Sequence, residues 1–360
     1  MKRVYNFNAG PSALPLQVLE KAQAELINFN ETGMSVMELS HRSQAYDDVH
    51  NRAKQLLKDI LRIPDSHDVL FLQGGASLQF AMVPLNFLPK HKTGYYVLTG
   101  SWSEKALKEA SKIGQTEVLA SSKEQNYSYI PEVDASTVDN DGAYVHITSN
   151  NTIYGTQWKQ FPNTSIPLIA DMSSDILSRE INVEQFDVIY AGAQKNLGPS
   201  GLTVVIIKKE LLTEVHEHVP TILTYKTHAS KNSLYHTPPT FSIYMLSLVL
   251  EWVQAEGGLR AVEEKNNKKA KILYDVIDES AGFYNGHAVK DSRSNMNVTF
   301  TLPSEELTKQ FLSQAESKCF IGLNGHRSIG GCRASIYNAV TLEACEELSA
   351  FMKEFQRQYS

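Results

Sequence analysis

Asp187-Val-Ile-Tyr-Ala-Gly-Ala-Gln-Lys-Asn-Leu-Gly-Pro-Ser-Gly201 is the stretch whose reading decides the fold. Its first half is apolar and ends in small residues, the pattern of a buried strand. Gly198, Pro199 and Gly201 then force a turn. Between strand and turn stands one lysine, Lys195. An amine at the mouth of a buried strand is partly desolvated, which lowers its pKa and makes it a usable nucleophile or base. Taken alone, Lys195 is equally a solvated lysine in a turn, so the rest of the chain has to decide.

Short apolar runs of the same kind occur at Asp68–Leu72, Tyr95–Leu98, Glu117–Ala120, Ala143–Ile147, Pro167–Ala170 and Thr203–Ile207. Helical spacing separates several of them and also covers Leu16–Phe29, Asp47–Leu61 and Leu78–Phe87. Strands alternating with helices predict an α/β protein with a mostly parallel sheet flanked by helices. Further helices are expected over Phe241–Gln254, Leu259–Ile277, Glu305–Ser317 and Glu343–Tyr359, with a strand over 296–302. The last third therefore reads as a smaller C-terminal α+β domain. The expected division is a large domain over 16–258 and a small one over 259–360 joined by the segment 1–15. The mixed-charge run Glu263–Lys271 reads as the wet face of a helix.

In parallel sheets the functional groups gather beyond the carboxyl ends of the strands. That rule brings together Gly74–Ser77, Trp102, Thr148–Thr152, Asp171 and Gln194–Lys195. Asp171 is the carboxylate that a pyridinium nitrogen needs, and equally a helix cap or Asx-turn residue, backed by Ser173 and Ser174. The Gly-Gly-Ala-Ser turn offers N–H groups and a hydroxyl to a phosphate, and equally is an ordinary tight turn. Trp102 is a ring to stack on, and equally core. Together, at successive strand ends and with a Schiff-base lysine, these residues converge on pyridoxal 5′-phosphate.

Other chemistries find less support. The formal net charge is −6, which argues against a nucleic-acid binder. No dinucleotide or nucleotide-triphosphate fingerprint follows a strand. Cys319, Cys332 and Cys345 are odd in number and lack C-x-x-C spacing, so a reducing compartment is expected. The N-terminus has no apolar signal region and Tyr244–Leu250 is too short to span a bilayer, so the protein is expected in the cytoplasm. His216-Glu217-His218 has no third ligand in sight, so no metal is expected.

Longer motifs extend the match: Asn6–Pro11, Glu38-Leu-Ser-His-Arg42, Gly100-Ser-Trp102, Ala170–Ser174, Tyr190–Asn196, Tyr235–Thr240, Gly325-His-Arg327 and Arg333–Asn338. In this order and over essentially the whole chain, the sequence resembles the phosphoserine aminotransferase family of fold-type I, class V pyridoxal-phosphate enzymes. The resemblance implies that Lys195 bonds the cofactor aldehyde and shuttles the proton, Asp171 pairs with the ring nitrogen, and Trp102 stacks on the ring. Ala76, Ser77 and Gln194 would hold the cofactor phosphate, with Thr152 on the phenolic-oxygen side. Some family members carry an arginine where Ser77 stands here. His236 and Thr237 would reach the neighbouring cofactor in a homodimer. Arg42 and Arg333, with His41, His326 and Arg327 nearby, would bind the substrate anions. The implied reaction is L-glutamate plus 3-phosphohydroxypyruvate giving 2-oxoglutarate plus O-phospho-L-serine, ping-pong through pyridoxamine phosphate. Rival expectations are another class V activity, such as alanine–glyoxylate transamination or cysteine desulfuration, and a non-catalytic module. A desulfurase needs a mobile cysteine, and the setting of Cys319 reads as core. A non-catalytic relative should have lost Lys195 or Asp171, and both are present.

Overall fold

A computed structural model describes residues 3–134, 137–213 and 218–360. Its central sheet contains β1 (His67–Gln73), β2 (Thr93–Leu98), β3 (Gln115–Ser121), β4 (Tyr144–Thr148), β5 (Leu168–Asp171), β6 (Val188–Gly192) and β7 (Leu202–Lys208). Their spatial order is β1–β7–β6–β5–β4–β2–β3. β2 pairs parallel with β3 and β4, β5 with β4 and β6. β7 runs antiparallel to both neighbours, β1 and β6. The Gly-Pro-Ser-Gly turn returns the chain directly, and a direct return pairs strands antiparallel. Every other strand thus points the same way, and their carboxyl ends share one edge.

β4, β5 and β6 are buried along their whole length. β3, at the edge, is mostly polar and largely exposed. In β7, Val204 and Ile206 enter one core with Leu57 and Leu246, while Val205 and Ile207 enter another with Phe80 and Tyr190. Both faces are therefore covered, which is why the strand reads as a continuous apolar run. The covering helices are α1 (Leu16–Glu25), α2 (Gln44–Leu61), α3 (Ala76–Phe87), α4 (Ser101–Ala110), α5 (Tyr225–Ser230), α6 (Thr240–Ala255) and α7 (Gly258–Glu279). The helix predicted over Leu16–Phe29 stops at Glu25. Asn30 turns left-handed, φ 44°, and Asn28 Oδ1 accepts the Gly33 N–H at 2.7 Å. Asparagine tolerates that conformation and bonds locally, so it ends the pattern early.

A separate core is built on β8 (Asn285–Gly286), β9 (Asn297–Thr301) and β10 (Cys332–Ser335), an antiparallel sheet in that order. α8 (Glu305–Ser317), α9 (Leu342–Tyr359) and one face of α7 pack on it. Phe300, Phe311, Phe351 and Phe355 fill this core, and Phe7 joins them from the N-terminal segment. Tyr5–Asn6 pairs parallel with Phe320–Ile321.

Two expectations are corrected here. Cys319 is exposed, not core; it turns the chain after α8 with φ 66°. The Glu263–Lys271 run is not wet throughout. Asn266, Lys269 and Ala270 join Leu259, Val262 and Leu273 in the buried stripe of α7. Their three- and four-residue spacing turns them inward regardless of polarity.

Candidate active site

A cavity of about 100 Å³ opens at the carboxyl edge of the sheet. Gly75, Ala76, Ser77, Trp102, Thr148, Asn150, Asp171, Gln194 and Lys195 are among its walls, with Ser173 and Ser174. Residues more than a hundred positions apart meet because β1, β2, β4, β5 and β6 all end on this edge.

Asp171 closes β5. Its carbonyl accepts both the N–H and the hydroxyl of Ser149, each at 3.0 Å. Its carboxylate Oδ1 accepts the Ser173 N–H at 2.9 Å and the Ser173 hydroxyl at 2.6 Å. The Asx-turn expected as the alternative role of Asp171 is therefore real, and it coexists with a carboxylate facing the cavity. Ser173 Oγ also accepts the Gly192 N–H at 3.1 Å, which ties the ends of β5 and β6 together.

Lys195 follows in the turn after β6. Its Nζ donates to Thr152 Oγ1 at 2.6 Å and lies 5.6 Å from the centre of the Trp102 ring. The N-terminal segment braces the turn: the Ser12 N–H donates to Gln194 O at 3.0 Å, and its hydroxyl bonds the Lys195 carbonyl. Asn196 donates to Ile176 O at 2.6 Å. A Cβ on Gly192 would stand 2.7 Å from Gln194 Oε1 and 3.3 Å from Ala76 N. Glycine alone lets Gln194 fold back to the start of α3. There Gly75 caps the helix without a side-chain bond, leaving first-turn N–H groups for an anion.

Burial pushes the Lys195 amine down to about 8. Asp171 and Asp175 pull it back up, and Arg333 pushes it further down. Burial raises the Asp171 carboxyl, opposed by Lys195 and the Ser173 bonds. In the unfolded chain the amine would titrate near the ordinary 10.5. The unfolded chain thus binds more protons between about 8 and 10.5, and this group adds stability as pH rises through that window. Trace acetylation of cofactor-free protein, followed on the Lys195 peptide by mass spectrometry, should show a midpoint near 8; a midpoint near 10.5 would contradict the enclosed geometry.

Arg333 NH1 donates to Thr152 O at 3.3 Å, and its Nε is buried without a partner. His326 is held below its ordinary pKa by burial, then by Arg333, Arg327 and Lys105. These cations thus cluster; Lys105, absent from the sequence expectations, lies 4.2 Å over the Trp102 ring. Its position one turn beyond Trp102 on α4 was the available signal. Asp175, buried and bonded to Ser149 and Gln157, was also not anticipated; it stands one turn after Asp171.

Eight expected residues are not among the cavity's walls: Thr152, His326, Arg327 and Arg333, whose contacts are given above, and His41, Arg42, His236 and Thr237. His41 is half-buried and Arg42 exposed, before α2. His236 packs against His228, ring centres 5.7 Å apart, with its Nδ1 buried and unpartnered. Thr237 is exposed, and its carbonyl accepts Gln73 Nε2 at 2.7 Å. Cys319 is not a wall residue either. His216 lies outside the described residues, His218 is exposed, and no group of three metal-ligating side chains occurs among the described residues.

The aminotransferase class-V profile matches residues 4–348. The chain belongs to the aminotransferase class-V family. This class-V aminotransferase is 67% identical over 360 residues to the phosphoserine aminotransferase of Geobacillus kaustophilus (strain HTA426), covering 100% of both chains. Among solved structures, it superposes on the phosphoserine aminotransferase of Bacillus circulans subsp. alkalophilus with a TM-score of 0.98, at 55% identity and full coverage of both chains. A pyridoxal-phosphate-bound phosphoserine aminotransferase from Trichomonas vaginalis superposes with a TM-score of 0.93, at 38% identity over 98% of this chain and 100% of the other.

Proposed function

We propose that the protein transfers the amino group of L-glutamate to 3-phosphohydroxypyruvate, giving 2-oxoglutarate and O-phospho-L-serine, with pyridoxal 5′-phosphate in a ping-pong cycle. The observation that carries it is the enclosure of the Lys195 amine and the Asp171 carboxylate in one small cavity that begins at a helix N-terminus. Names at 67% and 55% identity over full chains support the substrate pair.

The residues present fit the cofactor. Trp102 Nε1 and Thr148 Oγ1 are buried without partners, and α3 offers uncapped N–H groups. Buried polar atoms seldom stay unpaired, so these ask for a polar guest. Ala76, Ser77 and Gln194 would hold its phosphate, Trp102 its ring, Thr152 its phenolic oxygen, Asp171 its ring nitrogen and Lys195 its aldehyde. When bound, the cofactor supplies an aldehyde that accepts the amino group and a ring that draws off the electron pair released at Cα. Lys195 Nζ takes the substrate's α-proton and returns it. Thr152 orients that amine, and the depressed pKa keeps a neutral fraction at neutral pH. Lys105, His326, Arg327 and Arg333 concentrate anions at the mouth; guanidinium forks suit carboxylate and phosphate alike.

The homodimer belongs to the same proposal. Ile27 is 84% exposed and Met37 55%, with Leu26 and Met34 also exposed beside them. Such a cluster of large apolar side chains calls for a covering surface. His41 and Arg42 continue this segment, so their anion-binding role is met in the partner's cavity, as is that of His236 and Thr237. Ile27→Asp should shift sedimentation toward the monomer; an unchanged dimer would remove this interface. The separate aromatic core supports the proposed small domain of 1–15 and 259–360 beside a large one of 16–258. Three unbonded cysteines support a reducing, cytoplasmic setting; no described helix is long and apolar enough to cross a membrane.

The deciding experiment is a coupled assay with glutamate and each keto acid in turn. Each charge-assisted bond to phosphate adds about 1.5–3 kcal/mol. On that scale kcat/KM for 3-phosphohydroxypyruvate should exceed that for pyruvate or glyoxylate by roughly 100-fold. Equal rates would sink the substrate assignment and favour another class V activity.

A further inference from the structure

Lys269 is a charged side chain with 0% exposure. It sits on the inner face of α7, and its Nζ donates to Ile336 O at 2.9 Å, Tyr337 O at 2.8 Å and Val340 O at 3.0 Å. All three ammonium protons are used. No carboxylate pairs with it among the described residues; the titratable groups facing it are Cys345 of α9 and Lys265 of its own helix. Burying an ammonium costs several kcal/mol, so an apolar side chain there would be the cheaper way to fill space. What the ammonium does that an apolar chain cannot is pull three carbonyls to one point.

The segment so gathered touches Lys195 along two lines. Tyr337 donates its hydroxyl to Ala9 O at 2.8 Å and accepts from Asn297 Nδ2 at 3.2 Å, and the Thr152 side chain beside it lowers its pKa against the burial that raises it. Thr152 is the acceptor of the Lys195 amine. Asn338 donates its N–H to Asn196 Oδ1 at 3.0 Å, next in sequence to Lys195, and its Nδ2 to Leu177 O at 2.8 Å. Asn266, one turn before Lys269 on α7, donates to Asn338 Oδ1 at 2.9 Å and to Ser178 O at 3.0 Å. The path from α7 through Asn338 to Asn196, beside Lys195, is polar and buried.

We propose that Lys269 is a positioning residue for Lys195: by gathering the carbonyls of 336–340 it fixes Tyr337 and Asn338, which hold the acceptor and the backbone of the pocket lysine. The proposal takes Lys195 as the reacting amine, as the proposed function does. It is tested on the amine itself, so failure of transamination and failure of positioning are told apart. Burial keeps the Lys269 amine itself near 8 as well, but its role rests on the three carbonyls.

The test is the acetylation midpoint of Lys195 in full-length, cofactor-free Lys269→Met. Asp171, Asp175 and Arg333 face Lys195 and are untouched by the substitution. A loosened wall admits water, so the midpoint should climb from about 8 by about half a unit or more. In the cofactor-loaded enzyme, kcat should fall while KM for glutamate changes less than about twofold, the split expected of a group acting after binding. A lowered melting temperature with an unmoved midpoint would overturn the proposal and leave Lys269 as a folding residue. Should Lys269→Met fail to fold, Tyr337→Phe and Asn196→Ala decide, the latter removing the oxygen that accepts the Asn338 N–H. Each cuts one line, and an unmoved midpoint in both would overturn it equally.

Discussion

Lys195→Ala should lose roughly 10²–10⁴-fold or more in turnover, the range for removing a positioned acid–base group. It is the only amine among the wall residues of the cavity. Its neighbours cannot replace it. Thr152 and Ser77 are hydroxyls with no nearby base, the Trp102 indole is only a donor, and Arg333 stays protonated. Lys105 lies over the Trp102 ring but is exposed to water and is not a wall residue. The variant should fold, because the Lys195 side chain makes a single hydrogen bond among the described residues, to Thr152. A small primary amine added to the assay should restore part of the rate, since the pocket would then hold an amine without a tether. Many turnovers by Lys195→Ala with no added amine would remove the central role given to this residue.

Asp171→Asn is the second large effect, about 10²–10³-fold in kcat, comparable to removing one preorganised charge-stabilising group. The substitution is nearly isosteric. The amide oxygen still accepts from Ser173, so the Asx-turn survives. Only the negative charge opposite the cofactor's ring nitrogen is lost. The same substitution has a second reading without cofactor. Asp171 holds the Lys195 amine up against the desolvation that pushes it down. Removing that charge should move the acetylation midpoint below about 8, opposite in sign to the shift expected for Lys269→Met. A midpoint that stays put, with activity intact, would mean that Asp171 is a turn residue and nothing more.

The parts of this site that were legible in sequence share one property. Ala76, Ser77, Trp102, Thr152, Asp171 and Lys195 each close a strand or follow one closely, so locating the strands was enough to locate them. Direction was not legible in the same way. β7 and β5 are both short apolar runs, and only the length of the connection before β7 betrays its reversal. Lys269 and Asn266 were hidden by composition. They occupy a polar run, and nothing local distinguishes an ammonium among carbonyls from one in water. Tyr337 and Asn338 take their meaning from Thr152 and Asn196, more than a hundred residues upstream. Phe320 and Phe7, by contrast, were apolar, but no pattern joins two chain segments more than three hundred residues apart.

The brace formed by the N-terminal segment has a consequence for how the protein is made. Ser12 holds the turn of Lys195, while Tyr5 and Phe7 bond residues between 319 and 343. A nascent chain elongates at about 5–20 residues per second. Tyr5 and Phe7 are therefore synthesised roughly 20–60 s before the partners that fix them. The segment that braces the Lys195 turn is therefore anchored only after residues near 320 are made, well after every strand of the central sheet.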